Sequence, residues 1–203
     1  PGDVVYSSSK FLNLSIPQIQ LEKLLLLMQR NEIGFQCLRD TVKKLANYHV
    51  HVVGDTIVDS YTRTSFIGGQ TKTPTFSVLY QGQDDYIGGA GIVSLHLRAA
   101  GARVTFTTLL GDDTLKEFVI SGMKDSGVEI MPIIDPNRPT TQKNAIISEG
   151  YRLLKIDKLD NSPVSDEILE ELVEKVKQTP ANAIVFSDFR HGIFNKTSIP
   201  DLI

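Results

Sequence analysis

The sequence predicts an α/β fold: a largely parallel sheet with helices on both faces, preceded by a helical segment. Three observations carry that prediction. Short runs rich in β-branched and aromatic residues, at 49–53, 103–110, 128–134 and 183–186, alternate with stretches of helical apolar spacing. Several runs end in carboxylates (Asp55 and Asp59, Asp112 and Asp113, Asp188), where open α/β sheets gather their ligands. Between two of the runs, residues 84–91 place three glycines within four positions at the passage from strand to helix.

The bulk composition narrows the function classes. A chain of 203 residues holds one ordinary domain, or a domain with an appendage. Hydrophobic content of 41% and charged content of 22% suit a soluble globular protein with a real core. A net charge of −3 gives no electrostatic reason to expect nucleic acid. The single cysteine, Cys37, excludes an internal disulfide framework, fits a reducing, cytoplasmic compartment and reads as a packing residue. No apolar run approaches the roughly 20 residues needed to span a bilayer, and no secretory signal is visible, so no membrane association is expected. The first residue is Pro1 rather than methionine, which reads as a piece of something longer.

In chain order, the serines of residues 1–14 read as a helix N-cap. Ser15 and Pro17 open a helix with an apolar face of Ile19, Leu24, Leu27 and Met28. Gly34 breaks it, and Phe35, Leu38, Val42 and Leu45 mark a second helix. Residues 49–53 form the first strand. Residues 64–74 lack periodicity and read as a loop; the stretch 69–73 lacks the glycine that a phosphate loop needs before its lysine. Two short strands follow, around 75–81 and 84–87. Val93, Leu95, Leu97 and Ala100 suit a buried helix closed by Gly101. A strand over 103–110, a helix through Leu115, Phe118, Val119 and Met123, and a strand over 128–134 come next. A turn at 136–139 precedes a hairpin of 141–148 and 151–157 pivoting on Glu149 and Gly150. Ser165 caps a helix over 166–178, with acidic residues in its first turn and Lys175 and Lys177 near its end. Residues 183–186 are the last buried strand.

The glycine run taken alone has two readings. It is either a tight turn before a helix or a helix start whose free N–H groups face an oxygen-rich or anionic ligand. Its surroundings decide. Residues 53–59 (Val-Gly-Asp-Thr-Ile-Val-Asp), 87–91 (Ile-Gly-Gly-Ala-Gly) and 109–113 (Leu-Leu-Gly-Asp-Asp) resemble the N-terminal half of the ribokinase-like, PfkB-type carbohydrate kinases. Residues 138–143, 153–157 and 186–189 look most like the heptose-phosphate kinases of the ADP-heptose pathway. The resemblance covers about residues 48–203.

It implies a Rossmann-type sheet with a small β lid at about 62–87, in which the C-terminal nucleotide half is absent. Asp59 corresponds to the aspartate that accepts bonds from vicinal sugar hydroxyls, and Asp55 stands beside it as a second substrate-binding candidate. Gly88 and Gly89 correspond to the double glycine that closes on the sugar. Lys143 and Lys155 are candidates for substrate phosphate, or else solvated lysines. Asp188 either lines the same crevice or caps the turn after its strand. ATP and Mg²⁺ are implied for the full-length enzyme, as is a homodimer through the lid. No metal ligands are evident in this chain.

Two departures stand out. Gly91, Ile92 and Val93 occupy positions where many members of that family carry an asparagine on the sugar, and Arg190 and His191 replace a small residue and a lysine. His191 then reads as solvated or phosphate-facing. The family's Gly-Ala-Gly-Asp motif, whose aspartate is the general base, does not occur, so the catalytic base is expected beyond Ile203 and no catalytic residue within the chain. Residues 6–10 (Tyr-Ser-Ser-Ser-Lys) resemble the last motif of cytidylyltransferase-type domains. Residues 1–47 would then be the tail of a preceding nucleotidyltransferase-like domain plus a helical linker, and 48–203 the sugar-binding part of the kinase domain. Two functions follow: a sugar or sugar-phosphate kinase within a bifunctional protein of nucleotide-sugar synthesis, or a non-catalytic sugar-phosphate-binding or dimerisation module.

Overall fold

A computed structural model describes residues 16–68, 75–196 and 198–202. The expected serine caps before residue 16 and the loop at 69–73 lie outside the described residues. The chain divides into two compact units, Pro1–Lys44 and Leu45–Ile203.

The first unit holds helices α1 (Ile16–Arg30) and α2 (Phe35–Lys44), with the chain turning between them at Glu32, whose φ is 56°. No residue of α2 is buried, so Cys37 is exposed rather than packed.

In the second unit, β1 (His49–Gly54), β4 (Arg103–Gly111), β5 (Glu129–Asp135) and β8 (Ala183–Ser187) form an all-parallel sheet in the order β5-β4-β1-β8. Helices cover both faces, as parallel pairing requires. On one face α3 (Ala90–Ala99) and α4 (Thr114–Asp125) bury Val50, Val52, Val104, Phe106, Val119 and Met123. On the other, α5 (Asp166–Gln178) and the short α6 (Ile199–Leu202) enclose Val53, Ile133, Leu172 and Val176. Ser165 caps α5 by accepting the Ile168 N–H, as expected from its position.

The remaining strands build a second, mixed sheet. β2 (Thr56–Phe66), β3 (Val78–Gly89), β6 (Gln142–Ser148) and β7 (Tyr151–Lys158) lie in the order β3-β2-β6-β7. This corrects three expectations. β2 runs on through residues read as loop, and β3 is one long strand in place of two short ones. The hairpin at 142–158, with Glu149 and Gly150 at positive φ in its turn, extends the lid instead of the parallel sheet. The second sheet, which contains the span 62–87 expected of a lid, takes in two chain segments, β2–β3 and β6–β7.

Two burial expectations also change. In α3 the fully buried residues are the small ones, Ala90, Gly91 and Ser94, while Val93, Leu95 and Leu97 are only partly buried. β8 is an edge strand whose Ile184 and Phe186 are 43% and 38% exposed, so it is not the buried strand its composition suggests.

Candidate functional site

The parallel sheet hands over to the lid at Asp55, between β1 and β2, and this residue is a latch. It is 3% exposed, and its Oδ2 accepts the backbone N–H groups of Phe189 (2.9 Å) and His191 (3.2 Å). Its carbonyl accepts the Ala90 N–H at 2.8 Å, which ties down the first donor of α3. Burial raises the pKa of the carboxyl, against the pull of those two backbone bonds and of His191. The sequence placed Asp55 among the substrate ligands; its Oδ2 is already committed to the loop after β8.

Asp59 sits four residues on, in β2, directly opposite Tyr86 of β3 and Lys143 of β6. Lys143 in turn faces Asp157 of β7. Directly opposite residues project from the same face of a sheet, so Tyr86, Asp59, Lys143 and Asp157 make one row across the lid. Lys155, two residues before Asp157, shares that face and ion-pairs with Asp157 at 3.0 Å. The Asp59 carboxylate lies against Gly88: a Cβ at that glycine would collide with Oδ2. Gly89 (φ 60°, ψ −137°) turns the chain into α3 in a conformation closed to ordinary residues, and a Cβ there would strike the Asp55 carbonyl. The double glycine is thus needed both for approach and for backbone conformation. Its helix start is not an open anion site at the Ala90 donor.

Most strand-end carboxylates have protein partners. Asp113 caps α4 through the Leu115 and Lys116 N–H groups and also takes the Thr140 N–H at 2.9 Å; burial pushes its pKa up, but these bonds hold it below the usual range. Asp188 accepts the Arg190 N–H at 2.7 Å, the capping role the sequence left open, with Arg190 at φ 62°. Asp135 pairs with the buried Arg138 at 2.9 Å. Asp59, by contrast, has no hydrogen bond or ion pair among the described residues, and neither does the Lys143 ammonium.

The loop after β8 forms the opposite wall. His191 is 8% exposed, which overturns the solvated reading, and its Nδ1 lies 2.7 Å from Asn161 Oδ1. Burial first, and Lys143 second, lower its pKa against the opposing charges of Asp55, Asp157 and Asp188. Of these charges, Asp55 also meets His191 directly, through the backbone N–H. Of the sequence candidates, Asp59 meets Gly88 and stands opposite Lys143, Asp55 meets Gly89, Asp188 caps the turn after β8, and Lys155 lies on β7 paired with Asp157. Sequence reasoning missed Arg138, whose guanidinium also reaches the His191, Ser162 and Pro163 carbonyls at 3.5 Å. Its position in a proline-flanked turn right after a strand was the available signal. Beyond the glycines, Ile92 is exposed and Val93 joins the core, so neither supplies a polar contact. Among the described residues no three acidic, histidine or cysteine side chains converge as metal ligands, and no helix is long and apolar enough to cross a membrane.

Residues 48–193 match the family described as pfkB family carbohydrate kinase. The "Bifunctional protein HldE" of Rhodopseudomonas palustris (strain TIE-1) is 31% identical over 169 residues, covering 80% of this chain and 34% of that protein. The protein of the same name from Bradyrhizobium diazoefficiens is 28% identical over 166 residues, covering 79% and 33%. The chain therefore spans about a third of the length of these relatives. Among solved structures, a putative phosphofructokinase from Staphylococcus aureus superposes with a TM-score of 0.59 at 12% identity, over 76% of this chain and 48% of that one. Phosphofructokinase-2 from Escherichia coli, in complex with fructose-6-phosphate, gives 0.54 at 18% identity, over 69% and 45%. These two likenesses establish a shared fold.

Proposed function

The chain belongs to the pfkB family of carbohydrate kinases, and from that premise we propose that it is the sugar-binding part of a kinase that moves the γ-phosphate of ATP to a hydroxyl of a sugar phosphate. Heptose phosphates are the first substrates to test, within a bifunctional protein of nucleotide-sugar synthesis whose nucleotidyltransferase domain precedes residue 48. The observation that carries this reading is Asp59. It is a carboxylate without a hydrogen bond or ion pair among the described residues, held over a glycine and opposite a lysine that is likewise unpaired among them, where the second sheet leaves the parallel one.

In this reading Asp59 accepts bonds from vicinal hydroxyls, and Gly88 and Gly89 let backbone close on the ring. Lys143 meets the substrate's own phosphate, and Lys155 does so after leaving Asp157. Asp55 and Asp188 act as positioning residues that set the loop around His191. The attacking hydroxyl forms a bond to the γ-phosphorus as the bond to the β–γ bridging oxygen breaks, and ADP leaves. Its proton passes to a base, a role to which none of the described residues is assigned. Mg²⁺, bound with ATP, would neutralise charge on the transferring phosphate; the described residues do not form a site for it. Homodimerisation through the lid belongs to the same proposal.

One observation favours a second reading, a non-catalytic sugar-phosphate-binding module: no polar side chain at 91–93 follows the glycines. Titration of the full-length protein with heptose and hexose phosphates, paired with ATP turnover, separates the two. Binding with turnover supports the kinase, binding without turnover supports the module, and no binding of any sugar phosphate sinks both.

A further inference from the structure

The row across the lid begins with an aromatic ring that the roles above leave unused. Tyr86 lies directly opposite Asp59, on the same face, and is 57% exposed. Tyr61, two residues beyond Asp59 on β2, meets it edge-on, with ring centroids 5.8 Å apart and planes at 74°. The ordinary reading of such a pair is cross-strand stabilisation of the sheet. Two features go further. The edge contact fixes the Tyr86 ring while leaving much of it open to solvent. The next groups along the row are a carboxylate and an ammonium, neither with a hydrogen bond or ion pair among the described residues.

A sugar phosphate carries three surfaces: an apolar face of C–H bonds, an edge of hydroxyl donors, and a dianionic end. An aromatic face, a free carboxylate and a free ammonium in sequence match them in that order. At about 4.8 Å per strand, the β3 and β6 positions stand about 10 Å apart, which is on the scale of such a ligand. The opposite face of the lid offers nothing comparable at its centre. There Ser60, Thr62 and Thr64 are buried, Ser60 is bonded to Asp85 and Gln142, and Thr62 to Gln83 and Asn144.

We propose that Tyr86, braced by Tyr61, is a specificity-determining residue: it stacks on the C–H face of the sugar and orients the ligand with its ring over β3–β2 and its phosphate over β6–β7. The proposal rests on the sugar-phosphate reading of the site. It predicts that sugars presenting an unbroken C–H face are preferred over epimers that place a hydroxyl against the ring.

The test is ligand-observed NMR and calorimetry on the full-length protein, with fructose 6-phosphate and a heptose phosphate as organic probes and inorganic phosphate as the third. Wild type should move the sugar C–H resonances upfield by ring current. Tyr86→Leu should abolish that shift and weaken the organic probes by about tenfold while inorganic phosphate is unaffected, and Tyr86→Phe should recover the shift. Tyr80→Leu, opposite Thr64 on the other face, controls for general damage to the lid. If wild type binds no sugar phosphate, the functional reading fails and takes this one with it. If wild type binds and Tyr86→Leu keeps both affinity and upfield shifts, stacking alone is wrong and the functional reading stands. Equal weakening of all three probes by Tyr86→Leu, or matching losses in Tyr80→Leu, overturns stacking as well.

Discussion

Asp55 and Asp59 are the same residue type, four positions apart, on either side of the junction between two sheets. The parallel sheet encloses the first and assigns it two backbone donors. The lid presents the second on an open face and assigns it no partner among the described residues. One carboxylate thus completes the fold and the other is left to complete a ligand. The lesson is that an acid at a strand end is not by itself a candidate ligand group; what singles out Asp59 for the proposed role is its unspent hydrogen-bonding capacity.

Substitutions can break that contrast in a graded way. Asp59→Ala should cost the most in binding, about 1000-fold in Kd for a sugar phosphate, because two charge-assisted bonds are lost. Its denaturation midpoint should hardly move, since no hydrogen bond or ion pair among the described residues goes with it. Asp55→Ala should behave in the opposite manner. Two buried N–H groups lose their acceptor, so stability should fall by about 3 kcal/mol in urea titrations, with loss of amide protection at residues 189 and 191. A variant that lost binding without losing stability there would erase the distinction.

Acid should also separate the two sheets. His51, in the interior of β1, bonds through Nε2 to Thr107 Oγ1 at 2.8 Å, and burial, with His49 nearby, lowers its pKa to about 4. The folded value lies below the unfolded one of 6.5, so the unfolded chain takes up the proton first. The contribution is complete above pH 6.5 and is lost as pH falls toward 4, amounting to about 2 kcal/mol by pH 5. Hydrogen exchange should register this loss in β1 and β4, and His51→Gln should flatten the pH slope. The smallest effect expected is for Gly88→Ala. Its new methyl meets the Asp59 carboxylate and should weaken sugar-phosphate binding by about tenfold.

The parallel sheet was legible because strands buried on both faces are dominated by apolar and β-branched residues, as in β1 and β4, whose buried polar groups pair with one another, His51 with Thr107. The hairpin turn and the Ser165 cap were legible because their chemistry is local. β2 and β3 were not. Their buried positions include Ser60, Thr62 and Thr64, satisfied by Asp85, by Gln83 and Asn144, and by the Ile147 carbonyl from neighbouring strands, and polar residues that satisfy one another look like a loop in one dimension. At the site, sequence found the carboxylates and glycines but could not rank them. The ranking depends on donors from residues 189 and 191, more than a hundred positions away from Asp55.

The parallel pairing of β2 with β6 joins residues 58–64 to 142–148, and this has a consequence for how the chain acquires its shape. Every residue of the parallel strands β4 and β5 is synthesised before β6 emerges, so the β2–β3 hairpin must wait as a two-stranded ribbon. Such ribbons are marginal in water, and closing a loop of this length slows assembly. The second sheet therefore matures only after β4 and β5 have been made. Until it does, β2 exposes an unpaired edge that a second chain could occupy.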